Sequence, residues 1–60
     1  MARLTTEAVL MQYADTMIRD LGKVDGRKCL LANVPLWREH YGEAVTKRVI
    51  AHIRAKLGEG

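Results

Sequence analysis

The segment NVPLWREHYGEAV, Asn33 to Val45, holds the only proline and the only tryptophan of the chain, one of its two tyrosines and a mid-segment glycine. How it folds decides whether the second half of the protein is one long helix or several shorter ones. If Pro35 to Leu57 formed one straight helix, the row Trp37, Tyr41, Val45, Val49, Ile53 and Leu57 would turn about 40° further at each four-residue step and spread over about 200°. One face cannot hold such a row. Gly42 is the residue able to break it, with Glu43 then in the first turn of a new helix and Arg54 and Lys56 in its last, where the helix dipole favours each charge. An unbroken helix would instead carry an internal glycine at a cost of about 1 kcal/mol. At the other end, Val34 precedes proline and is pushed out of the α region, while Pro35 suits the first position of a helix. The segment therefore predicts a corner at Val34, a short helix over 35–41 and a break at Gly42.

Beyond Gly42, Val45, Val49, Ile50, Ile53 and Leu57 make an apolar seam on a helix over 43–57, and LGEG ends it. Towards the N-terminus, KVDGRKCLLANVP reads as a turn followed by a short helix over 26–33 with Asp25 as its N-cap. A longer helix is predicted over 5–21. Thr5 caps it, Leu4 is placed to pack on Val9 as a hydrophobic staple, and Glu7 lies in its first turn. Leu10, Tyr13, Ala14, Met17, Ile18 and Leu21 follow helical spacing, with Val9 and Met11 widening the stripe. The polar face offers an Asp15–Arg19 pair four residues apart, and Gly22 is a natural stop. The expected fold is all-α, a single small helical bundle in which two longer amphipathic helices are bridged by two short ones.

Sixty residues can hide only about 60% of the surface their unfolded chain exposes, so such a domain is reinforced by disulfides, a metal or a partner chain. Cys29 is the only cysteine, which leaves no intramolecular disulfide and no zinc site with two or more thiolates. Self-association is the remedy left, and it predicts a homodimer in which Leu10, Ala14, Met17 and Leu21 join the C-terminal seam in a core shared by two chains. No apolar run is long enough to span a membrane, the first residues lack a secretion-signal pattern, and a lone thiol points to the cytoplasm. The starting methionine suggests a complete small protein.

Ten bases against seven acids give a net charge of +3. Residues 1–21 carry two bases and three acids, 22–34 three and one, and 35–60 five and three, so the positive charge sits in the middle and C-terminal parts. That balance favours an acidic partner but is too diffuse for a dedicated basic stripe.

Catalytic and cofactor chemistry finds little footing. His40 and His52 have no carboxylate at a spacing that makes a metal site or an acid–base pair, and no phosphate-binding glycine loop is present. Cys29 follows Arg27 and Lys28 near a helix start, a setting that suits a reactive thiol, but Leu30 and Leu31 beside it argue for a small core residue. No enzyme, metal or cofactor is therefore expected. A helix-turn-helix also fails in both registers: with Gly42 in the turn, Arg38, Glu43 and Arg48 fall at positions needing small or apolar residues, and with Gly22 there, Ile18, Lys23 and Lys28 do. A non-standard helical nucleic-acid regulator using Lys47, Arg48, Arg54 and Lys56 stays as the alternative. A membrane-surface helix ranks below it, because no aromatic residue follows Tyr41 and the bases do not gather on one face.

What remains is protein binding: an adaptor, or an inhibitor that occludes a larger protein, the type of small inhibitor that bacterial viruses deploy against host machinery. Trp37, Arg38 and Tyr41 are residue types enriched at interface hot spots, and a single tryptophan in a small protein is also the natural core anchor. With Trp37 in the core and Tyr41 packed beside it, Arg38, His40 and the basic pair Arg27 and Lys28 are the better candidates for contact with a partner.

Overall fold

The computed structural model describes residues 5–58 as two packed helices, α1 (Thr6–Tyr41) and α2 (Glu43–Leu57). Straight, the 36 residues of α1 would reach about 54 Å, whereas the molecule measures 30 × 28 × 19 Å. α1 therefore folds back on itself. It does so at Gly22, whose φ of 86° and ψ of 170° are non-helical. Its two arms, 6–21 and 23–41, make three rods together with α2. In the first arm Glu7 meets Arg48, Asp15 meets His52, and Ile18 and Arg19 share a hollow with Lys56, so the first arm and α2 run parallel. The second arm is antiparallel to α2, with Arg27 near Leu57 and Arg38 near Glu43.

Each rod contributes to one core. Leu10 and Ala14 come from the first arm, Leu30, Val34 and Trp37 from the second, and Val49 and Ile53 from α2. Met11, Met17, Ile18, Val45, Ile50 and Leu57 pack at its edge. These seven buried side chains are covered within a single chain. Leu21, assigned to the seam on spacing alone, is 46% exposed because it is the last residue before the Gly22 bend and swings clear of the interface.

The break at Gly42 is present, with φ 87° and ψ 165°, nearly the same backbone as Gly22. That region of positive φ and extended ψ is essentially reserved for glycine, and a side chain there costs about 1–3 kcal/mol. The second corner is held from both sides. The Gly42 N–H donates to the Arg38 carbonyl (3.2 Å), while the buried Thr46 donates to the Gly42 carbonyl through its N–H (3.2 Å) and its hydroxyl (2.8 Å). Thr5 caps α1 as predicted, its hydroxyl accepting from the Ala8 N–H at 3.1 Å. The Leu4–Val9 staple involves a residue outside the described range.

The predicted corner at Val34 is absent. The helix runs through Val34 and Pro35, and the two short bridging helices expected over 26–33 and 35–41 are one continuous arm that begins at 23, so Asp25 lies inside the helix and caps nothing. The reason is energetic. An interior proline costs about 3 kcal/mol, but a bend at Val34 would take Leu30, Val34 and Trp37 out of a common inward face, and each is worth about 1.5–3 kcal/mol buried. Packing wins. Pro35 also stands on the exposed side, so the Leu31 carbonyl that loses its helical donor can turn to solvent, and in the preceding turn the Asn33 amide donates to the Cys29 carbonyl at 2.9 Å. Replacing Pro35 with alanine removes that penalty of about 3 kcal/mol, less about 0.4–1 kcal/mol of lost chain stiffening, and is expected to raise stability by about 2–2.6 kcal/mol in urea denaturation. A variant no more stable than wild type would show that the arm needs proline geometry there.

The expected Asp15–Arg19 pair does not form. Arg19 pairs with Asp20 at 3.2 Å on the open surface, and Asp15 turns to His52 of α2, with Oδ1 2.8 Å from Nε2. The tertiary partner displaces the local one.

Candidate functional site

The six residues singled out for partner contact are divided by the fold. Trp37 is 5% exposed and belongs to the core. Arg27, Lys28, Arg38 and His40 are exposed, and Tyr41 is 44% exposed, with its ring 6.2 Å from the His40 ring and tilted 54° to it. Arg38 and His40 are two residues apart, about 200° around the helix, and so face opposite ways. Arg27 and Arg38, eleven residues apart, return to within about 20° of each other and both look towards α2. The candidates therefore split into a basic side next to α2 and an aromatic-histidine edge beside the Gly42 corner.

On the α2 side, two adjoining hollows share Arg27 and Leu57. One, of about 360 Å³, is completed by Leu31, Ile50, Ile53 and Arg54. The other, of about 260 Å³, is completed by Lys23, Val24 and Lys28. Together they form a groove with an aliphatic floor and a cationic rim, and no acidic or aromatic side chain among the described residues lines it. Val24 is 70% exposed and Leu31 43%, so the floor is open to solvent on the outer side. Further along the same interface, Arg38, Glu43, Thr46, Lys47 and Ile50 surround a hollow of about 250 Å³ of mixed charge.

No known family, curated protein or solved structure matches the chain.

Among the described residues, no three His, Cys, Asp or Glu side chains gather to hold a metal ion, and no buried side-chain nitrogen or oxygen lacks a hydrogen-bond partner. Cys29 is half-buried, beneath Asn33 on its own helix. Contrary to the spacing argument, one histidine does gain a carboxylate. His52 meets Asp15 across 37 positions of sequence, a distance at which no local pattern signals contact. Its place beside Glu7–Arg48 makes it one of two polar clasps between the first arm and α2 among the described residues.

Lys23, Val24 and Leu31 do not stand out in the sequence as partner contacts, and Arg54 does so only for the nucleic-acid alternative. The bases of the last helix scatter around it, and only the antiparallel packing brings Arg54 level with Arg27. Val24 and Leu31 stand seven residues apart, two helical turns on one side. That signal was hidden by the turn predicted over 23–25.

Proposed function

We propose that the protein is a non-enzymatic interaction module, a small cytoplasmic adaptor or inhibitor that binds and occludes a larger protein through an acidic surface of that partner. The bacterial-virus type of steric inhibitor is the closest functional analogy. The observation that carries the proposal is the open, cation-rimmed apolar surface beside α2, where Val24 is left 70% exposed next to Lys23 and Lys28. Large apolar residues so exposed beside like charges are the pattern of a surface waiting for a complementary partner. The proposal includes a homodimer, in which a second copy covers Val9, Tyr13 and Leu36, apolar side chains 41–52% exposed and outside the groove. Sedimentation at micromolar concentration is expected to give about twice the 6.8 kDa chain mass. A lone 6.8 kDa species removes the dimer and leaves partner binding intact.

The alternative, a basic nucleic-acid regulator, is tested by anisotropy of labelled duplex and single-stranded oligonucleotides at low salt. No saturable binding is expected. Binding that weakens with a log–log salt slope near −0.9 per phosphate contacted would replace the protein-binding proposal.

A further inference from the structure

We infer that the groove between the 23–41 arm and α2 is a docking site for one acidic, amphipathic helix of another protein. The inference rests on the protein-binding function proposed above and names the chemistry of its partner. The incoming helix lays its apolar stripe along Val24, Leu31 and Leu57 and directs carboxylates at Lys23, Lys28 and Arg54.

Shape, charge and composition each narrow the occupant. Val24 and Leu31 lie about 10 Å apart along the arm, the rise of two helical turns, which matches the i, i+3/i+4, i+7 anchors of a helix seated in a groove. A hollow of about 360 Å³ holds one or two large apolar side chains. Among the described residues the rim carries Lys23, Lys28 and Arg54 and no acid, so a second copy using the same face would set cations against cations. Self-pairing through this face is disfavoured for that reason. Nucleic acid would satisfy the rim but leave the aliphatic floor uncovered, and no aromatic ring lines the groove to stack on a base. An acidic helix with an apolar stripe satisfies both floor and rim.

The probe is a fluorescein-labelled helical peptide of about 18 residues with leucine at i, i+3, i+4 and i+7 and glutamate flanking that stripe, compared with the same peptide carrying lysine for every glutamate. Saturable micromolar binding of the acidic peptide alone is expected, with amide shifts in ¹⁵N spectra confined to 23–31 and 50–57. Lys28 and Arg54 are exposed, so a Lys28→Glu, Arg54→Glu double variant keeps its circular dichroism spectrum and weakens acidic-peptide binding at least ~10-fold. Equal binding of the two peptides, shifts elsewhere on the molecule, or no saturation by millimolar peptide overturns the assignment. So does a duplex oligonucleotide that shifts the same amides more tightly, or concentration-dependent shifts of those amides without peptide, which would seat a second copy there. Any of these outcomes removes the groove assignment without deciding whether the protein binds a protein elsewhere on its surface.

Discussion

Replacing Trp37 by alanine is expected to cost about 3–5 kcal/mol, a third or more of the folding stability of the chain. The indole is 5% exposed and joins a core fed by all three rods. Emptying such a site costs about 3–5 kcal/mol. A chain of sixty residues, at roughly 0.05–0.15 kcal/mol per residue, has only about 3–9 kcal/mol to lose. Urea denaturation followed by circular dichroism reads the loss directly. A change below about 1 kcal/mol would mean that Trp37 is a surface anchor for a partner after all, since truncation there would cost little in the unbound protein.

Gly26→Val is expected to be the second most damaging substitution, although valine is a better helix residue than glycine. Gly26 is buried where the second arm crosses the first, and a Cβ there would stand 3.0 Å from the Ile18 Cα, 3.0 Å from the Met17 carbonyl oxygen and 3.2 Å from the Ile18 nitrogen. All three atoms are backbone, so relief requires the arms to move apart. Overpacking of this kind costs about 1–3 kcal/mol for a first methyl and more for a branched side chain, against less than about 1 kcal/mol recovered from helix propensity. A net loss of about 2–3 kcal/mol is expected for valine, and a smaller one for alanine, where the propensity gain offsets more of the clash. If Gly26→Val melts at the wild-type temperature, the two arms of α1 do not meet at this position.

Much of this architecture is legible in local chemistry. The angular spread of the row from Trp37 to Leu57 requires a break near its middle, and the glycine there supplies one with φ 87°. The Thr5 cap and the Gly22 stop are likewise local events, decided by a hydroxyl within reach of an N–H and by a residue without a Cβ. Pro35 misleads because its local preference, worth about 3 kcal/mol, is opposed by burial of three side chains on the face behind it. Propensity describes the isolated chain, and here the core overrides it. Gly26 is silent in another way: its role is the absence of a side chain at a helix crossing, which no local pattern marks.

The candidate surface was harder to read for the same reason. Arg27 and Lys28 stand out locally, but Arg54 and Leu57 join them only through antiparallel packing. Residues about thirty apart in sequence become neighbours only once the arm is known to be continuous from 23. The Asp15–His52 contact follows the same rule in reverse, since the parallel first arm and α2 bring together groups that sequence spacing separates.

The most direct test of a protein-binding function is capture from a lysate of the native source on immobilised wild-type protein, with nuclease treatment and a wash at roughly 0.5 M salt, where long-range charge attraction is screened to a few ångströms. A single protein species retained through both treatments, and identified by mass spectrometry, is the expected result. Recovery of nucleic acid that is lost on digestion or at high salt, with no protein held specifically, contradicts it.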